Sequence, residues 1–298
     1  MDYMALVNRS FSNAWKHKFL WLFGFFVAAG GGNGGAHIWD DAIKDSDWGD
    51  RFGLCPIDFE PAFIIMAVMA AFALWIVFWV MSILSESALI RGIVGKELNQ
   101  PTNFGLCWSV GLNKFFRLFG IILLATLAAI FAILCMAMVI VPAYIAAVGL
   151  GIVLTVLAIP FLVAIIFIAT AVEGWAIRYA VLYDEKWLDA LGKGWNMLKN
   201  NVGKSIGVAI SSFLAQLVLW CILIICCLVL AIPFVIIGYT DLWLGLIPGL
   251  IVAIIVIILA SAFTGTFASS MWTLGFMQIT GYSGQQPAAA TETAPPLA

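Results

Sequence analysis

The chain has 298 residues, of which 64% are hydrophobic and only 10% charged, whereas about a quarter of an ordinary soluble domain is charged. That balance excludes a water-soluble globule and indicates a polytopic membrane protein. A formal net charge of -2, with no Lys/Arg cluster interleaved with aromatics, argues against nucleic acid as a partner.

Met1 to Lys18 reads as an amphipathic lead-in, with Met4, Val7, Phe11 and Trp15 on one face and Asn8, Arg9, Ser12 and Lys16 on the other. The first apolar run, 19–29, is short for a bilayer core that asks for about twenty residues, so Lys16 and Lys18 must snorkel. A signal peptide is the competing reading, weakened by the aromatic run and the poor cleavage pattern after it. Gly30 to Pro61 is acidic and opens with GGGNGG, which lacks the GK[ST] ending of a phosphate loop and reads as a linker. Asp45 to Asp50 resembles the start of a calcium loop but lacks the fifth-position ligand and the closing Glu, so a solvated loop is the plainer reading.

Residues 62–84 form the second span, about 34 Å of helix at 1.5 Å per residue. Phe104, Trp108, Leu112 and Phe115 then mark a second interfacial helix, for which Thr102 or Asn103 can serve as cap. Spans three and four, 118–141 and 143–172, are split by Pro142, and Pro160 should kink the latter.

Between spans four and five lies Glu173 to Lys204, the longest stretch that water could solvate. Its stripe of Leu188, Leu191, Trp195, Leu198 and Val202 opposes Lys186, Asp189, Lys193, Asn196 and Asn200, with Asp184 able to cap the first turn and Asp189 to pair with Lys193. A helix lying in the cytoplasmic headgroup layer is expected, and a lipid- or partner-docking surface uses the same residues. Spans five and six cover 205–231 and 242–275, with Pro233 to Asp241 as their turn. Residues 1–281 thus make an integral membrane domain, and 282–298, rich in Pro, Ala and Thr, a disordered tail.

Basic loops stay cytoplasmic, and placing the amino terminus inside puts twelve of the 14 Lys/Arg there, leaving Lys44 and Arg51 outside. The expected fold is all-α, a polytopic protein of the cell membrane with six transmembrane helices in three hairpins and both termini cytoplasmic. Each hairpin would be preceded by a cytoplasmic interfacial amphipathic helix. Short identities support three copies: Lys18-Phe19 with Leu22-Phe23-Gly24 matches Lys114-Phe115 with Leu118-Phe119-Gly120, and Glu86-x-x-x-Ile90-Arg91 matches Glu173-x-x-x-Ile177-Arg178. The third copy has Ser269 to Leu274 instead and lacks both charges; chance identity among apolar helices is the alternative.

Glu86, Arg91, Glu173 and Arg178 are candidates for ion pairs at the cytoplasmic ends of spans two and four, or for a lipid-phosphate site using the arginines. Small residues at Gly203, Gly207, Ser211 and Ala215 in span five, and at Ser261, Gly265 and Ser269 in span six, should let those two helices pack face to face.

The segments FSNAWKHKFLWLFGFF, GGGNGG and VLYDEKWLDALGKGWNMLKNN resemble a group of prokaryotic polytopic membrane proteins that includes the membrane domain attached to some glycerophosphodiester phosphodiesterases. In that group an acidic residue precedes a helix whose pattern falls here on Asp184 or Glu185, Ala190, Leu191, Trp195, Leu198 and Asn200. The phosphodiesterase domain itself is missing, so the resemblance implies a membrane domain and no activity.

Only two histidines exist, His17 and His37, on opposite sides, and neither keeps catalytic or metal-ligand company; an outer metal site at His37 is the weak alternative. The cysteines show no CxxC and offer no outer pair for a disulfide. No enzyme activity, cofactor or metal is implied. No ionisable residue stands well inside spans two to six, which disfavours coupled transport. The expected function is therefore a non-catalytic module that binds membrane lipids or organises other membrane proteins or copies of itself; an uncoupled transporter or channel component is the alternative.

Overall fold

The computed structural model describes residues 2–29, 61–240 and 242–284. The expectations for the acidic loop, including the glycine run, Asp45 to Asp50, His37 and Cys55, and for the tail from 285 onward lie outside the described residues. Within them every regular element is helical: α1 (Tyr3–Lys16), α2 (Leu20–Ala29), α3 (Pro61–Glu97), α4 (Phe104–Ala146), α5 (Val148–Leu182), α6 (Trp187–Asn200), α7 (Val202–Thr240) and α8 (Leu242–Thr280). Five of these, α3, α4, α5, α7 and α8, are long and apolar enough to cross a membrane. At ten residues α2 is about 15 Å long, half a hydrocarbon core.

Three boundaries differ from the sequence reading, each for a reason rooted in backbone hydrogen bonding. Pro142 does not divide the chain; α4 runs through it to Ala146, and the break falls at Ala147, whose φ of -161 and ψ of 126 are extended. Pro233 likewise lies within α7, where a turn was expected. A proline forfeits one hydrogen bond, but leaving a helix in lipid would strand several, so the helix continues. The amphipathic segment from Phe104 is not a separate interfacial helix either: it forms the first turns of the 43-residue α4. The turn after Ala146 is tight because Gly151 has no side chain and the Tyr144 ring occupies that space, its hydroxyl 3.1 Å from Thr155 Oγ1.

Along the long helices, exposure changes abruptly. In α5, Ile152, Val156 and Phe161 are exposed, whereas Ala171, Trp175, Ala176 and Ala180 are fully buried; α8 changes in the same way between Leu259 and Ala262. The buried halves converge. Helices α3, α5 and α8 touch one another pairwise, α1 and α2 lie on α8, the start of α4 lies on α3, and α6 lies on α5. Trp175 stands edge-on to Trp272 with ring centroids 4.9 Å apart, and Tyr179 stands edge-on to Phe276 at the same separation. Such pairs each add about 0.5–1.5 kcal/mol beyond the area they bury.

Backbones approach most closely where α2 crosses α8. A Cβ on Gly24 would collide with Ala262 O and the Thr266 side chain, and one on Gly265 would collide with Gly24 O. Thr266 fixes that crossing, its hydroxyl donating to Ala262 O at 2.8 Å with Leu20 O at 3.2 Å.

Candidate functional site

The residues with most chemical potential meet where α3, α5 and α8 converge. Glu86 lies inside α3, three turns before its end, and Glu173 and Arg178 lie on the buried half of α5. Arg178 is only 2% exposed; its Nη1 donates to Gly174 O, one turn back, at 2.5 Å, and its guanidinium lies 5.9 Å from the Trp272 ring centroid. That stacking over an indole face is favourable for a desolvated cation. Both carboxylates interact electrostatically with Arg178, and Glu86 with Glu173, yet none of the direct ion pairs among the described residues joins them.

The sequence reading placed these charges at the interface as paired span ends. Instead the structure draws Glu86, Glu173 and Arg178 into one cluster inside the helical body, and separates Arg91, which lies near Cys107 of α4 and Tyr282 beyond α8. Ionisable groups thus do sit inside packed helices, because the bundle's buried core extends past the apolar runs into their less apolar ends. From α8 come Ser269 and Thr273, on the same stripe as Trp272 and Phe276; both are buried, and their hydroxyls lack a hydrogen-bond partner, as do Ser85 Oγ, Trp175 Nε1 and Arg178 Nε.

The amphipathic helices present a second candidate surface. In α6 the faces are not distributed as the periodicity indicated: Ala190, Gly194, Met197 and Leu198 are buried, while Leu188 and Trp195 are 56% and 49% exposed. Gly194 abuts Val172 O and the backbone of Ala176, leaving no room for a Cβ. The same division recurs in α1, where Leu6, Ser10 and Ala14 are buried and Met4, Phe11 and Trp15 exposed. It recurs again at the start of α4, where Cys107 and Gly111 are buried, Gly111 directly against Leu84 O, and Phe104 and Leu112 are exposed. Small residues admit close backbone contact, which leaves the large apolar side chains free to face lipid.

Ion pairs that the sequence did not disclose fix these helices. Arg9 pairs with Glu97 at the end of α3, and Asn13 Nδ2 donates to Glu97 Oε1 at 2.8 Å. Lys114 and Arg117 of α4 both pair with Asp184, just after α5. Asp184 therefore does not cap α6, whose cap position is Lys186; it adopts a left-handed φ of 60, and Lys193 pairs with Glu185 rather than Asp189. The signal was available: one constant spacing separates Glu86 from Glu173, Arg91 from Arg178 and Glu97 from Asp184.

The two small-residue stripes of α7 and α8 do not meet as expected. Gly207 lies against the Tyr3 ring of α1, Gly265 against Gly24 of α2, and Gly203 has nothing nearby. Ser211 and Ser261 sit in local helix hydrogen bonds, the Ser211 hydroxyl donating to Val208 O at 3.0 Å and Ser261 O accepting from Thr264 at 3.2 Å, and Ala215 packs at the edge of the core. Two short helices absent from the spacing argument, α1 and α2, take the places that the stripes were expected to fill for one another.

Among the described residues no group of three His, Cys, Asp or Glu is arranged to hold a metal ion. His17, at the elbow between α1 and α2, is partly buried near Lys96 and Lys16, and burial with those two charges holds its imidazole below the usual range. No curated protein and no solved structure matches the chain. A match spanning residues 12–278, from within α1 almost to the end of α8, places the chain in a family of unknown function, DUF7544, to which it belongs.

Proposed function

We propose that this protein is a non-catalytic integral membrane module, of six spans in three hairpins with both termini cytoplasmic, that engages lipid headgroups or partner proteins through its amphipathic helices. One observation carries the reading: α6 docks on α5 by Ala190, Gly194 and Met197 and leaves Leu188 and Trp195 exposed, with Val202 exposed at the start of α7. Lys186, Lys199 and Lys204 are exposed on or beside the same helix. An apolar stripe edged by lysines fits the headgroup layer, where each lysine near an anionic surface contributes about 1 kcal/mol. In this reading α2 is a sixth, short span carried by its packing on α8. The recurrence of Glu97 and Asp184 as anchors supports a repeated unit. The likeness to membrane domains attached to glycerophosphodiester phosphodiesterases fits the same role and supplies no activity.

The outer half also offers an apolar groove of about 510 Å³ between α7 and α8, lined by Leu230, Phe234, Leu246 and Leu250, of a shape suited to an acyl chain. Arg178, enclosed by protein, is not part of the proposed lipid surface.

The decisive experiment labels Trp195→Cys and Asn196→Cys with a nitroxide in reconstituted protein. The label at 195 should be reached by oxygen and shielded from aqueous nickel chelate, and the label at 196 should show the reverse; equal aqueous access at both sites would sink the reading. Lipid extracted with the protein should lose phosphatidylglycerol when Lys186, Lys199 and Lys204 are all changed to Gln, and retain it in Arg178→Ala. The second reading, an uncoupled transporter or channel component, is favoured by the half-buried Glu86 and Glu173 gathered around the enclosed Arg178.

A further inference from the structure

We propose that Glu86, Glu173 and Arg178, together with the hydroxyls of Ser269 and Thr273, form a binding site for one monovalent cation, a proton or a sodium-sized ion, at the junction of α3, α5 and α8. The first argument is charge. Two carboxylates and one guanidinium sum to a single negative charge when all are ionised, and uncompensated charge in a buried site is strongly disfavoured. Among the described residues no other charge is placed to balance it. From Ala262 to Phe276 α8 carries no charged residue, Lys114 and Arg117 of α4 are engaged with Asp184, the charges of α6 are exposed, and Arg91 lies apart near Cys107 and Tyr282. Tyr179, the remaining titratable group on this part of α5, packs against Tyr183 and Phe276.

The second argument is the orphaned polar atoms. Arg178 is 2% exposed and its Nε has no partner; Thr273 and Ser85 are fully buried, and their hydroxyls have none. Ser269 and Thr273 occupy the stripe of α8 that carries Trp272 over Arg178, which sets them on the face of α8 turned to this junction. Buried polar atoms are nearly always satisfied, and those that are not within the protein find water or an ion. The third argument is spacing: the carboxylates and the guanidinium interact electrostatically but make no direct ion pair. A proton held on one carboxylate, or a small hydrated ion bridging the groups, accounts for the missing direct pair. The anion that the arginines alone would have attracted is repelled by the carboxylates.

The test uses the full chain in phosphatidylcholine nanodiscs. Infrared difference spectra between neutral and alkaline pH, in choline chloride without sodium, are recorded for the wild type, Glu86→Gln, Glu173→Gln and the double variant. Melting temperatures are measured in sodium chloride against choline chloride at equal ionic strength. If the occupant is a proton, the wild type shows the carbonyl band of a protonated carboxylic acid near neutral pH, and that band is lost in the double variant and in one single variant. If it is sodium, no such band is present, sodium raises the melting temperature above that in choline, and the double variant loses the rise. A wild type with neither band nor sodium-specific shift overturns the proposal, and this arm needs no variant to fold. Either signal surviving unchanged in the double variant overturns it as well.

Discussion

The two halves of α5, outer for the exposed first half and inner for the buried second, belong to one helix, yet only the inner one is packed. Between Gly149 and Thr170 the helix exposes Ile152, Val153, Val156, Leu157 and Phe161; between Ala171 and Val181 it buries seven of eleven residues and leaves none exposed. Charge alone does not explain the packing, although the inner half is the less apolar because it holds Glu173 and Arg178. What changes is residue size and polarity: the inner half brings Ala171, Gly174, Ala176 and Ala180 beside one large ring, Trp175, whereas the outer half is dominated by branched aliphatics. In lipid an exposed isoleucine loses nothing, since acyl chains are as apolar as a protein core; burial must therefore be won by close packing and by polar groups that need partners.

That contrast can be broken most severely at Trp175. Replacing it with Ala removes the ring between Trp272 and Phe276 and should cost about 3–5 kcal/mol, the range for deleting a buried aromatic. Ile152→Ala, in the outer half of the same helix and 51% exposed, should shift stability by less than about 0.5 kcal/mol. Thermal unfolding in one detergent compares them directly, and similar losses would mean that the outer half is packed after all.

A smaller effect separates close helix crossings from open ones. Gly265→Leu must push α2 and α8 apart, because its Cβ meets backbone at Gly24, and should destabilise by about 3 kcal/mol, the upper part of the overpacking range. Gly207→Leu meets the end of the Tyr3 side chain, which can swing aside, and should cost less; Gly203→Leu, facing open space, should be close to neutral. The order of the three melting temperatures is the check, and a neutral Gly265→Leu would remove the α2 contact.

Much of this architecture was legible in the sequence. The helix marked by Leu188, Leu191, Trp195 and Leu198 and the Asn103 cap position correspond to the elements observed. The packing faces were not legible, because a stripe such as Leu188, Leu191 and Trp195 marks amphipathicity without saying whether protein or lipid receives it. The informative residues were the small ones at the same period, Ala190 with Gly194 and Ser10 with Ala14. The cluster was half legible: Glu86, Glu173 and Arg178 were singled out by type, but that they come from two helices to one place, and that Arg91 does not join them, depends on helix rotation that spacing alone cannot fix.

Asp184 sharpens the comparison at the rim of the packed half. Its carboxylate holds Lys114 and Arg117, but its side chain is 58% exposed, so the pairs together should contribute only about 1 kcal/mol. Its φ of 60 separates backbone from charge. Asp184→Asn keeps a residue that tolerates this conformation and loses only the charge; Asp184→Val adds the left-handed strain of about 1–2 kcal/mol. A melting temperature for Asp184→Val no lower than that for Asp184→Asn would show that the turn can relax.

The smallest expected effect lies at the elbow between α1 and α2, where the packed half meets water. Burial first, then the charges of Lys96 and Lys16, hold His17 below its ordinary value of 6.5 in the folded protein. The unfolded chain therefore binds a proton more readily, so folding stability rises with pH through the region around and below 6.5 and falls as acid protonates the unfolded state first. Acidification from about pH 8 to about pH 5 should lower the melting temperature by an amount equivalent to less than about 1 kcal/mol, and His17→Gln should remove that part of the dependence. Because Lys96 also lies over the Phe19 ring, 5.9 Å from its centroid, Lys96→Met should weaken the dependence too, without abolishing it, since burial is the larger cause. A pH profile identical in wild type and His17→Gln would show that the elbow is open to solvent and that α1 is less firmly seated on the packed half than its contact with Glu97 implies.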